Sequence, residues 1–469
     1  MPVKNKKFVL KGVVVTDYAA EGKSLGRIDG KVIFIEGAVP GDVTDVFITK
    51  NKKDWAEGKA TRFETLSPDR IVPFCKHFGI CGGCKWQMLP YDTQLDFKQR
   101  EVEQTLKRIA KTDLPQIAKI IGSEKTIHYR NKLEFTFSNR RYLTSNEIKE
   151  DAPIKQENAL GYHVPRLFDK ILNIEECFLM DDINNTIRNS IRNFAVQNNY
   201  SYYDIKEHSG WLRNIIIRFT GTGQLMINIV IGNENLYEIT RLCDFVLEVI
   251  PGITTLLYTV NQKWNDSIYD LKPTVYYGPG FITEVIGGLT FKISAKSFFQ
   301  TNSKQAEQLY QVVSDFASLS GNEIVYDLYC GTGTIGISLA SQSGKIIGVD
   351  IIPEAIADAR ENAFLNNIEQ AEFYAGDVIS LCNKDFFDQH GRPDLIISDP
   401  PRAGMHQNLI DKLLQIQAPK IVYVSCNVAT QARDILLLSE KYRVEKIQPL
   451  DMFPHTHHIE CVVLLLLKQ

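Results

Sequence analysis

A glycine-rich turn and a series of acids mark where this chain can bind a small molecule. The run Glu323-Ile-Val-Tyr-Asp-Leu-Tyr-Cys-Gly-Thr-Gly-Thr-Ile-Gly336 carries a short apolar stretch into glycines at 331, 333 and 336, and an apolar helix-like segment follows. That is the strand, tight turn and helix of a nucleotide-binding α/β unit, in which glycines let the backbone approach a ligand closely. Lys345 to Asp350 reads as the next buried strand, ending in a carboxylate placed to grip a ribose. Phe373 to Asp377 and Leu395 to Arg402 each close an apolar run with an acid, Asp377 and Asp399, at the carboxyl edge where open α/β sheets bind ligands. The glycine pattern by itself fits a nicotinamide dinucleotide equally well. Acids after successive strands favour S-adenosylmethionine, whose ribose hydroxyls, adenine amino group and cationic end all seek acceptors, as a pyrophosphate does not. Helix capping would explain one of these acids but not the set.

Two later segments carry reactive groups to the same edge. Lys420-Ile-Val-Tyr-Val-Ser-Cys426-Asn427 sets a cysteine just past a strand, and Asp451-Met-Phe-Pro-His-Thr-His-His-Ile-Glu460 sets a carboxylate at the mouth of a final apolar run, Cys461 to Leu467. A thiol and a carboxylate facing one methyl donor suit methylation of uracil at carbon 5, a poor nucleophile until a thiolate adds to carbon 6. Cys426 is then the nucleophile. Glu460, desolvated beside the apolar run and raised in pKa, is the base that removes the proton left on carbon 5. A core thiol and a strand-end cap are the competing readings of these two residues.

A second chemical feature lies near the front. Cys75-Lys-His-Phe-Gly-Ile-Cys81-Gly-Gly-Cys84 puts three thiols in ten residues, and Cys177 is the nearest candidate for a fourth ligand. Nine cysteines, an odd count with no export signal, argue for thiols and metal ligands over disulfides. Spacing alone leaves zinc and an iron-sulfur centre equally open.

The elements that position these groups fall into three parts. Residues 1–66 alternate apolar and polar positions in short runs separated by turn residues, the pattern of a small OB-like β-barrel that could carry nucleic acid. Residues 67–290 read as α+β, with an amphipathic helix from Pro90 to Ala110, a strand from Ile127 to Phe137, and a charged insert, Ser145 to Asn158, expected as a mobile loop. Residues 291–469 alternate helices and strands, as a doubly wound α/β sheet does. Among 469 residues there is no signal peptide and no apolar run of membrane-spanning length, so a cytoplasmic protein is expected. Residues 1–150 hold 27 Lys and Arg against 19 Asp and Glu, and the remainder holds 26 against 37. A basic front suits a polyanion such as RNA, and an acidic rear suits a cationic cofactor.

With these motifs in place, the chain resembles the RNA (uracil-5-)-methyltransferase family, in particular its iron-sulfur-containing 23S ribosomal RNA members. The resemblance spans nearly the whole chain. It rests on a front barrel like a TRAM domain, the four cysteines, His128-Tyr-Arg-Asn-Lys132, Ser297-Phe-Phe-Gln-Thr-Asn302, Asp327-Leu-Tyr-Cys-Gly331, Asp399-Pro-Pro-Arg402, Ser425-Cys-Asn427 and the Asp451 to Glu460 segment. It implies a four-iron four-sulfur cluster on Cys75, Cys81, Cys84 and Cys177. It places Gln300, Tyr329, Asp350 and Asp399 on S-adenosylmethionine, with Gly331, Gly333, Thr334 and Asp377 close by, and gives Cys426 and Glu460 the nucleophile and base roles. It also implies that the Pro90 to Ala110 helix packs on the methyltransferase part. One departure is Val428, where the family usually has proline. The target uridine must leave any stack, so a flipped or splayed base in a single-stranded or loop segment is expected. No membrane and no protein partner are implied. A transfer RNA substrate is the nearest alternative, and an RNA-binding assembly factor without turnover is the alternative of another class.

Overall fold

The period-2 pattern of the front segment closes on itself. In the computed structural model, which describes residues 8–144, 147–148 and 157–469, β1 (Val9–Ala19), β2 (Lys23–Ile28), β3 (Lys31–Glu36), β4 (Val43–Asn51) and β5 (Trp55–Thr65) form a closed barrel in the order β1-β2-β3-β5-β4. Val13, Val15, Ile33, Ile35, Val46 and Ile48 point inward and fill it, as alternation along a barrel strand requires. Gly58 permits the closure, because a Cβ there would sit 2.6 Å from the Phe47 carbonyl oxygen.

After the cysteine loop comes α1 (Tyr91–Ile109). Its buried stripe, Gln94, Lys98, Val102, Thr105 and Leu106, follows helical spacing but is half polar. Val102, Leu106 and Ala110 share one core with Ala432 and Ile435 near the far end of the chain.

The middle sheet contains β6 (Lys132–Ser138), β7 (Ala159–Val164), β8 (Leu167–Asn173), β9 (Leu212–Phe219), β10 (Leu225–Ile231), β11 (Ile253–Val260) and β12 (Thr274–Tyr277), in the order β12-β11-β10-β9-β6-β7-β8. Two helices, α2 (Ile183–Gln197) and α3 (Leu236–Val249), cover one face by burying Ile187, Ile191, Leu242 and Val246 against Phe135, Ile215, Ile217 and Ile229. The strand expected from Ile127 begins only at Lys132. His128 has φ of +55°, and the amides of His128 and Arg130 each donate at 2.7 Å to the carbonyls of Phe178 and Leu179. The chain just past Cys177 thus takes the hydrogen bonds that a sheet neighbour would have taken. The insert Ser145 to Asn158 lies for the most part outside the described residues.

A hairpin, β13 (Phe281–Ile286) with β14 (Leu289–Ser294), and α4 (Ser303–Ala317) lead into the last sheet. Its elements run β15 (Ile324–Leu328), α5 (Thr334–Ser338), β16 (Lys345–Asp350), α6 (Pro353–Leu365), β17 (Ala371–Ala375), α7 (Val378–Leu381), α8 (Lys384–His390), β18 (Leu395–Ser398), α9 (Gln407–Ile416), β19 (Lys420–Ser425), α10 (Val428–Leu438), β20 (Tyr442–Leu450) and β21 (Glu460–Leu467). The strand order is β17-β16-β15-β18-β19-β21-β20, parallel from β17 to β19 and antiparallel at β21 and β20. Since β15 lies between β16 and β18, the strand order reverses there, and the crevice at the carboxyl ends of β15 and β18 is where a doubly wound sheet takes its ligand. Among the described residues no helix is long and apolar enough to cross a membrane.

Candidate active site

The crevice at the switch point holds a cavity of about 40 Å³ lined by Gln300, Tyr310, Asp327, Tyr329, Thr334 and Asp399, with Gly331 on its wall. Tyr329 leaves β15 with φ of +63°, and this left-handed turn brings the loop back over the strand end. Asp350 stands behind the loop: its two carboxylate oxygens accept the amides of Gly331 and Ile352, each at 2.9 Å. Gly333 has φ of +78°, and a Cβ there would approach Phe373 to 2.9 Å, so the turn can pack on the sheet only through glycine. Of the eight residues expected at the cofactor, five line this cavity; Gly333, Asp350 and Asp377 do not. Asp377 caps α7, accepting from the amide of Ser380 at 3.2 Å and from its hydroxyl at 3.0 Å. Burial pushes the Asp327 and Asp399 carboxyls up to about 7.

Gln300 is held from the middle sheet. Asn131, just before β6, donates its side-chain amide to the Gln300 carbonyl and to Ser303 Oγ, both at 2.9 Å, and its backbone amide to the Thr301 carbonyl at 2.8 Å. The His128 to Lys132 motif therefore positions the Ser297 to Asn302 motif.

Cys426 and Glu460 meet through sheet register. β19 and β21 pair antiparallel from Lys420 with Leu466 to Ser425 with Cys461. Continued by one residue, that register sets Cys426 opposite Glu460. Opposed residues of such a pair share a face, with Cβ atoms about 5 Å apart. The groups feel each other: burial pushes the Cys426 thiol up to about 11, and Glu460 and then Asp399 add to the rise, while Arg402 opposes it by charge and hydrogen bonding. Burial and Asp399 hold the Glu460 carboxyl well above its ordinary range, again against Arg402. Arg402 Nη2 lies 3.2 Å from His458 Nδ1. A guanidinium only donates, so Nδ1 accepts and the ring proton sits on Nε2; burial keeps that ring neutral. Arg402 thus bridges the Asp399 loop to the segment that carries Glu460.

That segment is tied on every side. Asp451 is fully buried and accepts from Lys98 Nζ at 2.6 Å, the Tyr91 hydroxyl at 2.9 Å and the Phe453 amide at 2.9 Å. Asn302 and Gln305 of the α4 start donate to the carbonyls of Met452 and Asp451 at 3.0 and 2.8 Å. The His455 carbonyl accepts from the amides of Lys85 and Trp86 at 2.7 and 3.1 Å, just past Cys84. Sequence reading passed over Lys98 and Gln305 and quoted Arg402 without giving it a role. A lysine on a helix stripe otherwise occupied by Val102 and Leu106 was the signal available for the first.

Asn427 caps α10 by accepting the amides of Ala429 and Thr430 at 3.1 and 3.4 Å. Val428 is therefore the first helical residue, where an amide has no intrahelical acceptor and proline is favoured for its fixed φ. This accounts for the interchange of valine and proline two residues after Cys426. Val428→Pro should fold, keep its activity and unfold at the same or higher denaturant, by about 0.4–1 kcal/mol; urea melts with a parallel methylation assay check this.

Cys75, Cys81, Cys84 and Cys177 line a separate cavity of about 180 Å³. Among the described residues, however, no group of three or more His, Cys, Asp or Glu is placed to hold a metal ion. The expected iron-sulfur site is thus not supported as a preformed ion site. Thiolates sharing one zinc at about 2.3 Å would lie roughly 3.8 Å from one another, and the four sulfurs are not drawn together in that way. The histidines at 455, 457 and 458 likewise form no such group.

Known proteins resemble this chain along most of its length. The model of the family described as tRNA (Uracil-5-)-methyltransferase matches residues 285–468. An RNA methyltransferase of Bacteroides thetaiotaomicron is 51% identical over 453 residues, covering 96% of this chain and 100% of that protein. One from Porphyromonas gingivalis is 48% identical over 458 residues, covering 96% and 98%. Among solved structures, the tRNA (uracil-54, C5)-methyltransferase of Pyrococcus abyssi, in complex with S-adenosyl-L-homocysteine, matches 97% of this chain and 100% of its own with a TM-score of 0.74 and 30% identity. Fold and site define an S-adenosylmethionine-dependent methyltransferase that acts on RNA. The chain belongs to the RNA (uracil-5-)-methyltransferase family.

The half-buried Cys426 thiol has a pH consequence. With a pKa of about 11, about one Cys426 in ten thousand is thiolate at pH 7. Only the thiolate alkylates, so iodoacetamide labelling of the Cys426 peptide should rise about tenfold per pH unit between 7 and 10. A sulfonium bound in the cavity at Asp399 would stabilise the thiolate, so S-adenosylmethionine should speed labelling and neutral S-adenosylhomocysteine should not. Peptide mass spectrometry reads both effects.

Proposed function

We propose that this enzyme methylates carbon 5 of a specific uridine in 23S ribosomal RNA. The observation that carries the chemistry is the opposition of Cys426 and Glu460 at the end of the β19–β21 ladder, with Asp399 and Arg402 acting on both. In this reading Cys426 adds as thiolate to carbon 6, and the ring π pair moves to the carbon 4 oxygen as an enolate. Bound S-adenosylmethionine supplies the methyl group, which carbon 5 takes as its bond to sulfur breaks. Glu460 then removes the carbon 5 proton, the 5,6 double bond re-forms, and Cys426 leaves as thiolate. Arg402 stabilises the anion on either reactive group. Gln300, Tyr329, Gly331, Thr334 and Asp399 would bind the cofactor directly. Asp350, Gly333 and Asp377 would complete the site from the loops around it, Asp350 at the ribose.

The division expected from sequence is retained as part of the proposal: a TRAM-like barrel over 1–66 and a central part over 67–290 as the RNA platform, with the catalytic part over 291–469. Cytoplasmic RNA is the substrate pool in this reading. A four-iron four-sulfur cluster is assigned to Cys75, Cys81, Cys84 and Cys177. The shared cavity supports this assignment, because a cubane spaces its four thiolates more widely than a single ion does. Its contribution would be to cross-link the 75–84 loop to the chain at 177.

A second reading, transfer RNA as substrate, is favoured by the full-length likeness to the Pyrococcus abyssi enzyme. That match covers 97% of this chain, the barrel and cysteine regions included, so having those regions does not by itself favour ribosomal RNA. Mapping 5-methyluridine in both RNA classes from cells lacking this protein decides: loss from 23S RNA supports the first reading, and loss from transfer RNA alone supports the second. RNA carrying 5-fluorouridine at the mapped position should form a denaturation-resistant adduct through Cys426. Active protein that forms none would overturn the covalent mechanism.

A further inference from the structure

Tyr310 was not expected at the site, yet it lines the cofactor cavity opposite the glycine turn. It is 5% exposed, and its hydroxyl donates to Thr334 Oγ1 at 2.9 Å. Its helix is pinned at the other end by Asn302 and Gln305, which hold the Asp451–Met452 carbonyls, so the depth of the phenol in the cavity is fixed. On the same wall Asp327 is 1% exposed. One of its oxygens accepts the Gly336 amide at 2.9 Å, and the other, Oδ1, has no hydrogen-bond partner among the described residues. A buried carboxylate oxygen without a donor points to a ligand that brings one. A hydroxyl has one proton and two lone pairs, so once the phenol occupies a lone pair of Thr334, the threonine proton is free for an acceptor.

We propose that Tyr310 is a positioning residue of the cofactor pocket: it holds the Thr334 hydroxyl as a donor to the carboxylate of the bound methionyl group, while Asp327 Oδ1 receives the ammonium. The inference rests on the assignment of Thr334 to the cofactor. It deepens that assignment by naming which end of the cofactor each group reads. Zwitterionic ligands gain from both contacts, and a ligand lacking the amino acid end gains from neither.

Calorimetric titration of the full-length protein with S-adenosylhomocysteine, in the absence of RNA, tests it. Tyr310→Phe removes one oxygen and should weaken binding about 5- to 30-fold. Thr334→Val should do the same, and the double variant should be no weaker than the more affected single one, because the two groups act as one relay. Methylthioadenosine, which lacks the zwitterion, should bind wild type and Tyr310→Phe equally. RNA affinity should stay within about twofold in each variant. Tyr310→Phe binding as tightly as wild type, strictly additive losses, or equal losses for methylthioadenosine would overturn the proposal. Wild-type protein that binds no S-adenosylhomocysteine would instead overturn the cofactor assignment itself.

Discussion

Glu460→Gln should leave the enzyme joined to its RNA. The amide cannot accept the carbon 5 proton, so Cys426 can still attack and carbon 5 can still be methylated, but elimination stops and the adduct remains. On a denaturing gel, unmodified substrate RNA with S-adenosylmethionine should give a slow protein–RNA band for Glu460→Gln and almost none for wild type. Multiple turnover should fall by about 10²–10⁴, the usual contribution of a positioned base. Cys426→Ala should give no band and no turnover, and Cys426→Ala/Glu460→Gln should behave as Cys426→Ala, because the base acts only after the thiol has added. Turnover by Glu460→Gln near the wild-type rate would remove Glu460 from the mechanism.

The raised pKa of both groups makes physical sense of this order. In the free protein, burial keeps the Cys426 thiol and the Glu460 carboxyl protonated and uncharged, which avoids two desolvated anions side by side. A sulfonium in the cavity next to Asp399 brings positive charge close to both. In the proposed mechanism the site would then be primed as nucleophile and base only when methyl donor is present, which would limit idle reaction of the thiol.

Much of this was legible from residue types. The glycine turn and the acids after successive strands located the crevice, because both follow from backbone geometry that the sequence repeats locally. Cys426 and Glu460 were legible as strand-end residues, but their opposition was not: it depends on β21 pairing antiparallel beside β19, a contact between segments joined through α10 and β20. Asp377 shows the reverse, a motif acid that lies off the cavity with one carboxylate oxygen engaged in a local cap. Lys98 was given no role in the amphipathic helix from Pro90 to Ala110, yet its side chain is fully buried. Its partner lies 353 positions away, and no pattern local to α1 announces such a pair. Tyr310 was hidden for the opposite reason, since an aromatic on an apolar helix stripe reads as core, and only the cavity distinguishes it.

Lys98→Met should be the most destabilising single change in the chain outside the strand cores. It leaves Asp451 as a buried carboxylate with the Tyr91 hydroxyl and the Phe453 amide as its remaining donors, and breaking one side of a buried ion pair costs about 3–5 kcal/mol. Lys98→Met/Asp451→Asn removes both charges while keeping volume and the Phe453 hydrogen bond to Oδ1, with the new amide nitrogen donating to the Tyr91 oxygen in place of the bond that Oδ2 accepted. It should recover most of that loss, within about 1–2 kcal/mol of wild type in urea melts. Activity should not recover in step. Asp451 and Lys98 together fix the start of the segment that ends in Glu460, and Lys98 also donates to the Phe453 carbonyl at 3.3 Å. A displacement of about 1 Å at the base is enough to slow the reaction about 100-fold. The double variant should therefore be nearly as stable as wild type and still deficient in kcat, with S-adenosylhomocysteine affinity changed by less than about twofold. Full recovery of both stability and kcat would show that the pair holds only the fold; recovery of stability alone would assign it to placement of the base.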